Sequence, residues 1–162
     1  MNKELILRAW SEIGDAAPMK GDCGQLCGAS CCRPDDDGKG GVCLLPDENR
    51  LIGDPEWAEI GFDEAMNAPM IACHGLCDRA RRPFLCRIFP LCPVFGKNGW
   101  TVRMDARGRA VCPLCGGGLR ALDPDFVRKC ARAVRILADD PDGEAFLRRW
   151  ASIEAKFREP LF

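Results

Sequence analysis

The chain has 162 residues, a length that suits one domain able to bury an apolar core without disulfide bridges. With 23 basic and 24 acidic side chains its net charge is −1, which excludes an overall basic surface for nucleic acid or anionic membranes. The unusual feature is the cysteine content, twelve residues in all, well above ordinary usage. We expect these thiols to have a chemical use.

The N-terminal residues and the apolar stretches bear on the cellular location of the protein. Residues 1–10 carry Lys3, Glu4 and Arg8 among their apolar positions, unlike the continuous apolar region of a secretory signal. The longest uncharged apolar stretch, residues 88–96, contains two prolines and is far shorter than the ~20 residues of a membrane helix. We therefore expect a soluble, cytoplasmic protein with no membrane partner. In a reducing cytosol, dense cysteines are more often metal ligands or redox groups than disulfides.

The first predicted element is an amphipathic N-terminal helix over residues 1–14, because apolar residues recur at helical spacing up to Gly14. A stretch rich in Gly, Asp, Pro and Cys follows over residues 14–41, and it contains a polar turn with three consecutive aspartates at 35–37. Such a stretch buries little apolar surface, so a bound ligand is the expected cause of its order.

The middle of the chain is predicted to hold short elements. Residues 42–45 form a short strand, and a helix begins at the Asp-Pro pair 54–55. One helical turn is expected over residues 83–89. Residues 101–104 are predicted to pair with residues 110–111 as a small hairpin.

The C-terminal third predicts a pair of packed helices within residues 123–158. The pairs Asp123–Pro124 and Asp140–Pro141 each supply a capping carboxylate and a helix-starting proline. Each helix also has an apolar face, formed by Phe126, Val127, Cys130, Val134 and Leu137 in the first, and by Phe146, Leu147, Trp150, Ile153 and Phe157 in the second.

Together these elements predict a mainly α-helical single domain over residues 1–162, with irregular Cys-rich loops and a small β-hairpin. The Cys-rich region, residues 20–115, is expected to be organised by metal, with the C-terminal helix pair as its scaffold. Its own apolar burial is not expected to offset the cost of ordering its backbone, about 1 to 2 kcal/mol per residue.

The cysteines that carry this metal hypothesis fall into three blocks, GDCGQLCGASCC, IACHGLCDRARRPFLCRIFPL and VCPLCGGG. Tetrahedral metal binding needs thiolates that converge at about 2.3 Å from the ion, and short loops with glycines allow this with little strain. The candidate metal ligands are Cys23, Cys27, Cys31, Cys32, Cys73, Cys77, Cys86, Cys112 and Cys115.

The adjacent pair Cys31 and Cys32 bears on how many sites there are. Neighbouring side chains diverge by roughly 100° in a helix and 180° in a strand, so the pair does not easily bind one ion together. Either the two thiols bind metal at two different sites, or one binds metal and the other packs against the protein. The eight candidates without Cys115 would fill two four-thiolate sites, or one cluster with spare thiols.

The other candidates are expected to have structural roles. Cys43 and Cys130 lie among apolar residues and are predicted to be buried in the core, whereas Cys92 stays undecided. His74, which is the one histidine, is expected at the surface rather than as a ligand.

Four arginines lie close to the second cysteine block. A four-thiolate site with a metal or cluster has a net charge near −2, which is costly to bury without cations nearby. The arginines could supply this charge, or they could form a solvated basic face; they are Arg79, Arg81, Arg82 and Arg87.

Two motifs together resemble a known family. The first block ends in Cys-Cys, and further on the chain has Arg-Pro, two residues, Cys-Arg, one residue and Phe-Pro. This combination is similar to the CxxCxxCC cysteine-cluster family, the YkgJ-like zinc- or iron-chelating proteins. The matching residues are Cys23, Cys27, Cys31, Cys32, Arg82, Pro83, Cys86, Arg87, Phe89 and Pro90. The first block departs from the family pattern, because three residues rather than two separate its first three cysteines.

The resemblance implies a metal site, with an iron–sulfur cluster, most often [4Fe–4S], favoured over Zn²⁺. The CPLCG sequence at residues 112–116, which has the form of a zinc knuckle, favours zinc instead. The expected function is electron transfer or redox sensing. The first alternative is a zinc-stabilised interaction module, whose protein partner the sequence does not identify.

A further alternative is an enzyme, because one branch of the family includes flagellin lysine methylases. A methylase needs a pocket for S-adenosylmethionine, and no Gly-rich loop between a strand and a helix is evident. Residues 116–118 are expected to be a hinge. The sequence does not decide whether the protein is an enzyme.

Overall fold

About half of the chain is helical and the remainder includes two small antiparallel sheets, in a computed structural model that describes residues 1–33, 41–75 and 77–158. The α-helices are α1 (Lys3–Ile13), α2 (Cys23–Cys27), α3 (Asn49–Ile52), α4 (Phe84–Ile88), α5 (Pro124–Ala138) and α6 (Pro141–Lys156). The strands are β1 (Val42–Cys43), β2 (Ala58–Asp63), β3 (Ala68–Cys73), β4 (Leu91–Gly96) and β5 (Gly99–Met104). Short 3-10 turns lie at Ser30–Cys32, Arg79–Arg81, Ala106–Ala110 and Pro113–Ala121. The predicted aspartate turn at 35–37 lies outside the described residues.

The helix starts agree with the capping pattern in the sequence. The side chain of Asp123 accepts from the backbone N–H of Asp125, and Asp140 does the same for Asp142. Asn2 caps α1 through the N–H of Glu4, at 2.8 Å. The predicted turn at 83–89 is α4, which is followed by a cis peptide bond between Phe89 and Pro90.

The strands correct the prediction of a mainly α-helical fold. The helix predicted from 54–55 is wrong, because residues 58–63 form β2, which pairs antiparallel with β3 over its whole length. Ile60 and Phe62 suit a pleated strand, and six residues of a partner strand outweigh the helix-starting tendency of Asp-Pro. In this sheet β3 is the central strand, with β1 at its other edge.

The hairpin exists with a different partner from the one predicted. β5 pairs with β4, and the turn joins Gly96 to Gly99. The segment expected to pair with it, residues 110–111, lies instead at the end of the 3-10 turn Ala106–Ala110. That turn begins where the side chain of Asp105 accepts from the N–H of Arg107 at 2.9 Å.

The core lies between α1, α5, α6 and the hairpin, and it continues into the three-stranded sheet and α4. The middle of the chain, from residue 41 onwards, supplies part of this core. Its fully buried side chains include Leu44, Leu45, Ile71, Phe84 and Ile88. Residues 19–33 are the exception, since none of them is buried.

Some smaller predictions about burial can be compared directly. Cys43 and Cys130 are buried as predicted, and Cys92 is fully buried as well. Phe157 is 61 % exposed, so it does not belong to the apolar face of α6. Within the described ranges, no helix has the length and apolar content needed to cross a membrane.

Candidate metal centre

The thiols of the three cysteine blocks surround two neighbouring cavities. The larger has a volume of about 720 Å³ and is lined by Cys23, Cys27, Cys31, Cys32, Cys77, Cys86 and Cys112. The smaller has about 40 Å³ and is lined by Cys31, Cys32, Cys73 and Cys86. Eight of the nine candidate ligands therefore face one cavity or both. All twelve cysteines of the chain are free thiols.

The first cysteine block folds as one short helix and one turn. Asp22 caps α2 by accepting from the N–H of Gly24 at 3.0 Å. Cys23 and Cys27 are one turn apart, so they share a helix face, and the Cys27 thiol donates to the Cys23 carbonyl at 3.7 Å. Gly28 and Ala29 both have left-handed backbone, with φ of 59° and 56°, which turns the chain sharply into the 3-10 turn.

That turn brings the adjacent thiols closer than the sequence argument suggested. The Sγ atoms of Cys31 and Cys32 lie 4.0 Å apart. The prediction of strong divergence applies to a regular helix or strand, and a single 3-10 turn is neither. The hydroxyl of Ser30 donates to the Cys27 carbonyl at 2.7 Å, which fastens the turn to α2.

The second block brings three more thiols to Cys32. Cys73 ends β3, Cys77 follows it, and Cys86 lies on α4. Burial raises the pKa of Cys86 well above its ordinary value, and the charges of Cys73, Cys32 and Cys77 add to the effect. The pKa of Cys77 is also raised, first by its hydrogen bond with Cys32 and then by burial. These four thiols are therefore close enough to oppose one another's ionisation.

One arginine offsets this mutual repulsion. Arg82 lines the larger cavity, and its positive charge lowers the pKa of Cys77 against the effects of Cys32 and burial. It acts in the same direction on Cys23, Cys73 and Cys86. Arg82 is thus close to four of these thiols and favours their ionised forms.

The other three arginines fasten the loop that carries the thiols. Arg87 donates to the Arg82 carbonyl at 2.7 Å and to the Ala80 carbonyl at 2.8 Å, and its guanidinium lies 4.4 Å from the ring centroid of Trp10. Arg79 pairs with Asp22 at 3.0 Å, which links the second block to the start of α2. The fourth, Arg81, pairs with Asp78 at 3.0 Å and donates to the carbonyl of Ile52.

The third block contributes one thiol to the cavity and one to the interior. Cys112 lines the larger cavity, whereas Cys115 is buried and lines neither. A Cβ atom added to Gly108 would lie 2.9 Å from the Cys115 Sγ, so the backbone packs directly on this sulfur. Burial and then the neighbouring Cys112 raise the pKa of Cys115 to about 11. The following glycines, 116–118, lie in a 3-10 segment and not between a strand and a helix.

Sequence reasoning missed Glu48, a fully buried carboxylate behind the site. It accepts from Trp10 Nε1 at 3.0 Å, from the N–H of Leu45 at 2.9 Å and from the N–H of Phe84 at 2.6 Å. These bonds join α1 to the first residue of α4, the helix that carries Cys86. Burial raises the pKa of Glu48 to about 7. In the sequence it looks like an ordinary loop glutamate, so no pattern could have revealed it.

The donor atoms do not surround a single point. Among the described residues, no three His, Cys, Asp or Glu side chains converge closely enough to hold one metal ion. His74 is exposed, as predicted, and its Nε2 lies 3.7 Å from Glu59 Oε1. The arrangement is thus a set of thiols spread around cavities rather than a preformed tetrahedral site.

Comparison with protein-family models, with curated proteins and with solved structures gives no significant match for this chain. The similarity to the cysteine-cluster family stays a prediction that depends on the ten matching residues quoted above.

Proposed function

We propose that this protein binds an iron–sulfur cluster between its cysteine blocks and uses it for electron transfer or redox sensing. The observation that carries the proposal is that seven thiols from three separate chain segments line one cavity, while an eighth, Cys73, lines the smaller cavity next to it. Free cysteines normally behave as small apolar side chains and pack in the core, as Cys43, Cys92 and Cys130 do here. The cavity thiols are at most partly buried, which is the environment of ligands rather than of core residues.

The ligands we assign to this cluster are Cys32, Cys73, Cys77 and Cys86. They come from the 3-10 turn Ser30–Cys32, the end of β3, the segment after β3 and α4. One bound group would therefore link four parts of the chain. Thiolates that ligate a metal must be deprotonated, and their pKa values are raised here by burial and by each other. A cation that replaces their protons, with Arg82 beside it, removes that repulsion.

The spacing of the thiols favours a cluster over a single zinc ion. Four sulfurs bound to one ion at about 2.3 Å lie within ~4.6 Å of one another. The described side chains have no such convergence on one point. In a [4Fe–4S] cluster each thiolate binds a different iron, so the sulfurs stand further apart around a larger group. The knuckle that favoured zinc in the sequence loses its second ligand, because Cys115 lies in the core.

When bound, the cluster would supply one-electron chemistry. The chain's own contribution is to hold the thiols, to offset their charge with Arg82, and to cover part of the site with apolar side chains such as Leu85 and Phe89. Hydrogen bonds, net charge and solvent exposure around the sulfurs then set the reduction potential.

The metal content of purified variants tests the proposal. Cys86→Ala should lose most of its iron relative to the wild-type chain after anaerobic isolation, because a ligand is removed. Cys130→Ala is the matched control, since Cys130 is equally free but fully buried on α5, and it should keep its iron. Equal iron in both variants would show that Cys86 is not a ligand.

A further inference from the structure

We propose that Cys112 and Cys115 form a redox-active dithiol, which exchanges with low-molecular-weight disulfides that enter the larger cavity. The inference goes beyond the proposed function, because neither residue is among the four ligands assigned to the cluster. It also gives a role to Cys115, which lines neither cavity.

The backbone holds the two residues at a separation that a disulfide can span. The N–H of Cys115 donates to the Cys112 carbonyl at 3.1 Å, which closes a turn of four residues. The Cα atoms at the two ends of such a turn lie within about 7 Å, and a disulfide needs about 4.4 to 6.8 Å. Pro113 lies between them and fixes one backbone angle of the turn. A bond between the sulfurs therefore requires little movement of the chain.

Gly108 fixes both cysteines in place. The N–H of Cys112 donates to the Gly108 carbonyl at 2.8 Å. A Cβ atom at Gly108 would lie 2.9 Å from the Cys115 Sγ, so this sulfur packs on the backbone of the same residue. Burial, then the charge and the hydrogen bond of Cys112, raise the pKa of Cys115 to about 11, in agreement with two neighbouring thiols.

The two thiols differ in access, and this difference assigns their roles. Cys115 is 8 % exposed. Cys112 is half-buried, lies between the exposed residues Val111 and Pro113, and lines the larger cavity. Exchange begins when an accessible thiolate attacks a disulfide sulfur. Cys112 is therefore the attacking thiol, and Cys115 is the thiol that resolves the intermediate.

The larger cavity suits a small anionic disulfide. Its volume of about 720 Å³ lies in the range of small-molecule sites, about 300 to 1,000 Å³. Two aspartates line it, Asp22 and Asp105, but so do four arginines, which favour a ligand with carboxylates; they are Arg33, Arg79, Arg82 and Arg107.

The exchange balances with the small disulfide as the oxidant. The Cys112 sulfur loses its proton and bonds to one sulfur of the small disulfide, whose other sulfur leaves and takes up a proton. The Cys115 sulfur then loses its proton and bonds to the Cys112 sulfur, and the second small thiol leaves with a proton. The small disulfide gains two electrons and the protein dithiol loses two. The reverse reaction with small thiols restores the dithiol.

Oxidised glutathione, added anaerobically to the isolated full chain, tests the inference. After acid quenching, alkylation of free thiols and trypsin digestion, residues 110–120 form one peptide whose cysteines are Cys112 and Cys115 alone. We expect this peptide without alkylation and lighter by two hydrogens than its reduced form. Residues 88–97 are the matched control, because their single cysteine is the buried Cys92, which should stay reduced and be alkylated.

Two variants separate the roles of the thiols. Cys115→Ser should accumulate glutathione on Cys112, because the resolving thiol is absent. Cys112→Ser should leave Cys115 reduced, because this thiol is buried. Both should keep the wild-type helical content by circular dichroism and the wild-type amount of iron.

Three results would overturn the inference. They are a wild-type peptide that stays alkylated at both cysteines, a bond from Cys112 to a cysteine outside the peptide, and glutathione on Cys115 in Cys112→Ser. Loss of iron from Cys112→Ser would also overturn it, since Cys112 would then be a ligand, while the proposed function would stand. A wild-type chain without iron would overturn the proposed function alone, because the disulfide in residues 110–120 is measured independently of iron.

Discussion

At the scale of single residues, two fully buried glutamates have opposite dependences on pH. Burial raises the pKa of Glu48 from 4.5 to about 7, against its backbone and Trp10 hydrogen bonds. Burial also acts to raise the pKa of Glu154, but hydrogen bonds from Arg158, Ala106 and Arg103 outweigh it, and the pKa is lowered. Glu48 therefore stabilises the fold most below pH 4.5 and loses this contribution as the pH rises through about 7. Glu154 stabilises the fold above its ordinary pKa, and this contribution is lost as the pH falls through its lowered pKa in the folded protein.

The substitution Glu48→Gln should remove the first of these dependences. We expect the wild-type chain to lose about 3 kcal/mol of unfolding free energy relative to the variant between pH 4.5 and 7, because each pKa unit corresponds to about 1.4 kcal/mol. Urea unfolding of both proteins across this range measures the difference. A difference that stays constant with pH would mean that Glu48 does not titrate there.

The grouping of the candidate ligands could be predicted from the sequence, because short loops with glycines bring close cysteines together. Eight of the nine face a cavity, as a ligand role requires. Cys115 does not, since the backbone after Asp105 folds into 3-10 turns that direct this thiol under Gly108. Glu48 was not predictable at all, because its burial depends on α1 and α4, which are far from it in sequence.

At the scale of elements, the predicted helices are those with local start signals. α5 and α6 begin at Asp-Pro pairs and continue with apolar residues at helical spacing. The strands β2 and β4 were missed because they depend on pairing. β2 follows a helix-like start at 54–55, and β4 contains Pro93, a residue that counts against a strand in a sequence pattern. No local pattern shows which partner a strand will find.

The cap of α5 provides a test at this scale. Asp123→Ala should lower the unfolding free energy by about 1 kcal/mol, because the N–H groups of Asp125 and Phe126 lose their acceptor. Asp139→Ala at the other end of α5 is the control, and it should cost nothing, since this aspartate is exposed next to the negative end of the helix. Denaturant unfolding at neutral pH compares the two. Equal losses would contradict the capping role.

At the scale of the whole molecule, the buried apolar side chains are unevenly distributed along the chain. The dependence of residues 20–115 on metal stays a prediction, and the three-stranded sheet and α4 within this region share the main core. Residues 19–33 contribute no buried side chain. The proposed function therefore predicts that this segment is the part whose order depends on a bound metal.

Removal of the metal should accordingly unfold a limited region. We expect amide hydrogens of residues 19–33 to exchange at close to unprotected rates after chelation under reducing conditions. Those of α1, α5, α6 and the hairpin should stay protected, because their core is apolar and complete without the thiols. Equal protection of residues 19–33 in both forms would show that the turn is held by protein contacts alone.

Acid-labile sulfide, measured with iron and the visible absorption spectrum on the anaerobically isolated full chain, most directly tests whether the thiol-lined cavities hold an iron–sulfur cluster. A cluster contains inorganic sulfide and absorbs visible light, whereas zinc bound by cysteines brings neither. We predict a brown protein with iron and sulfide in similar amounts. A colourless protein with zinc and no sulfide, or with no metal, would contradict the account.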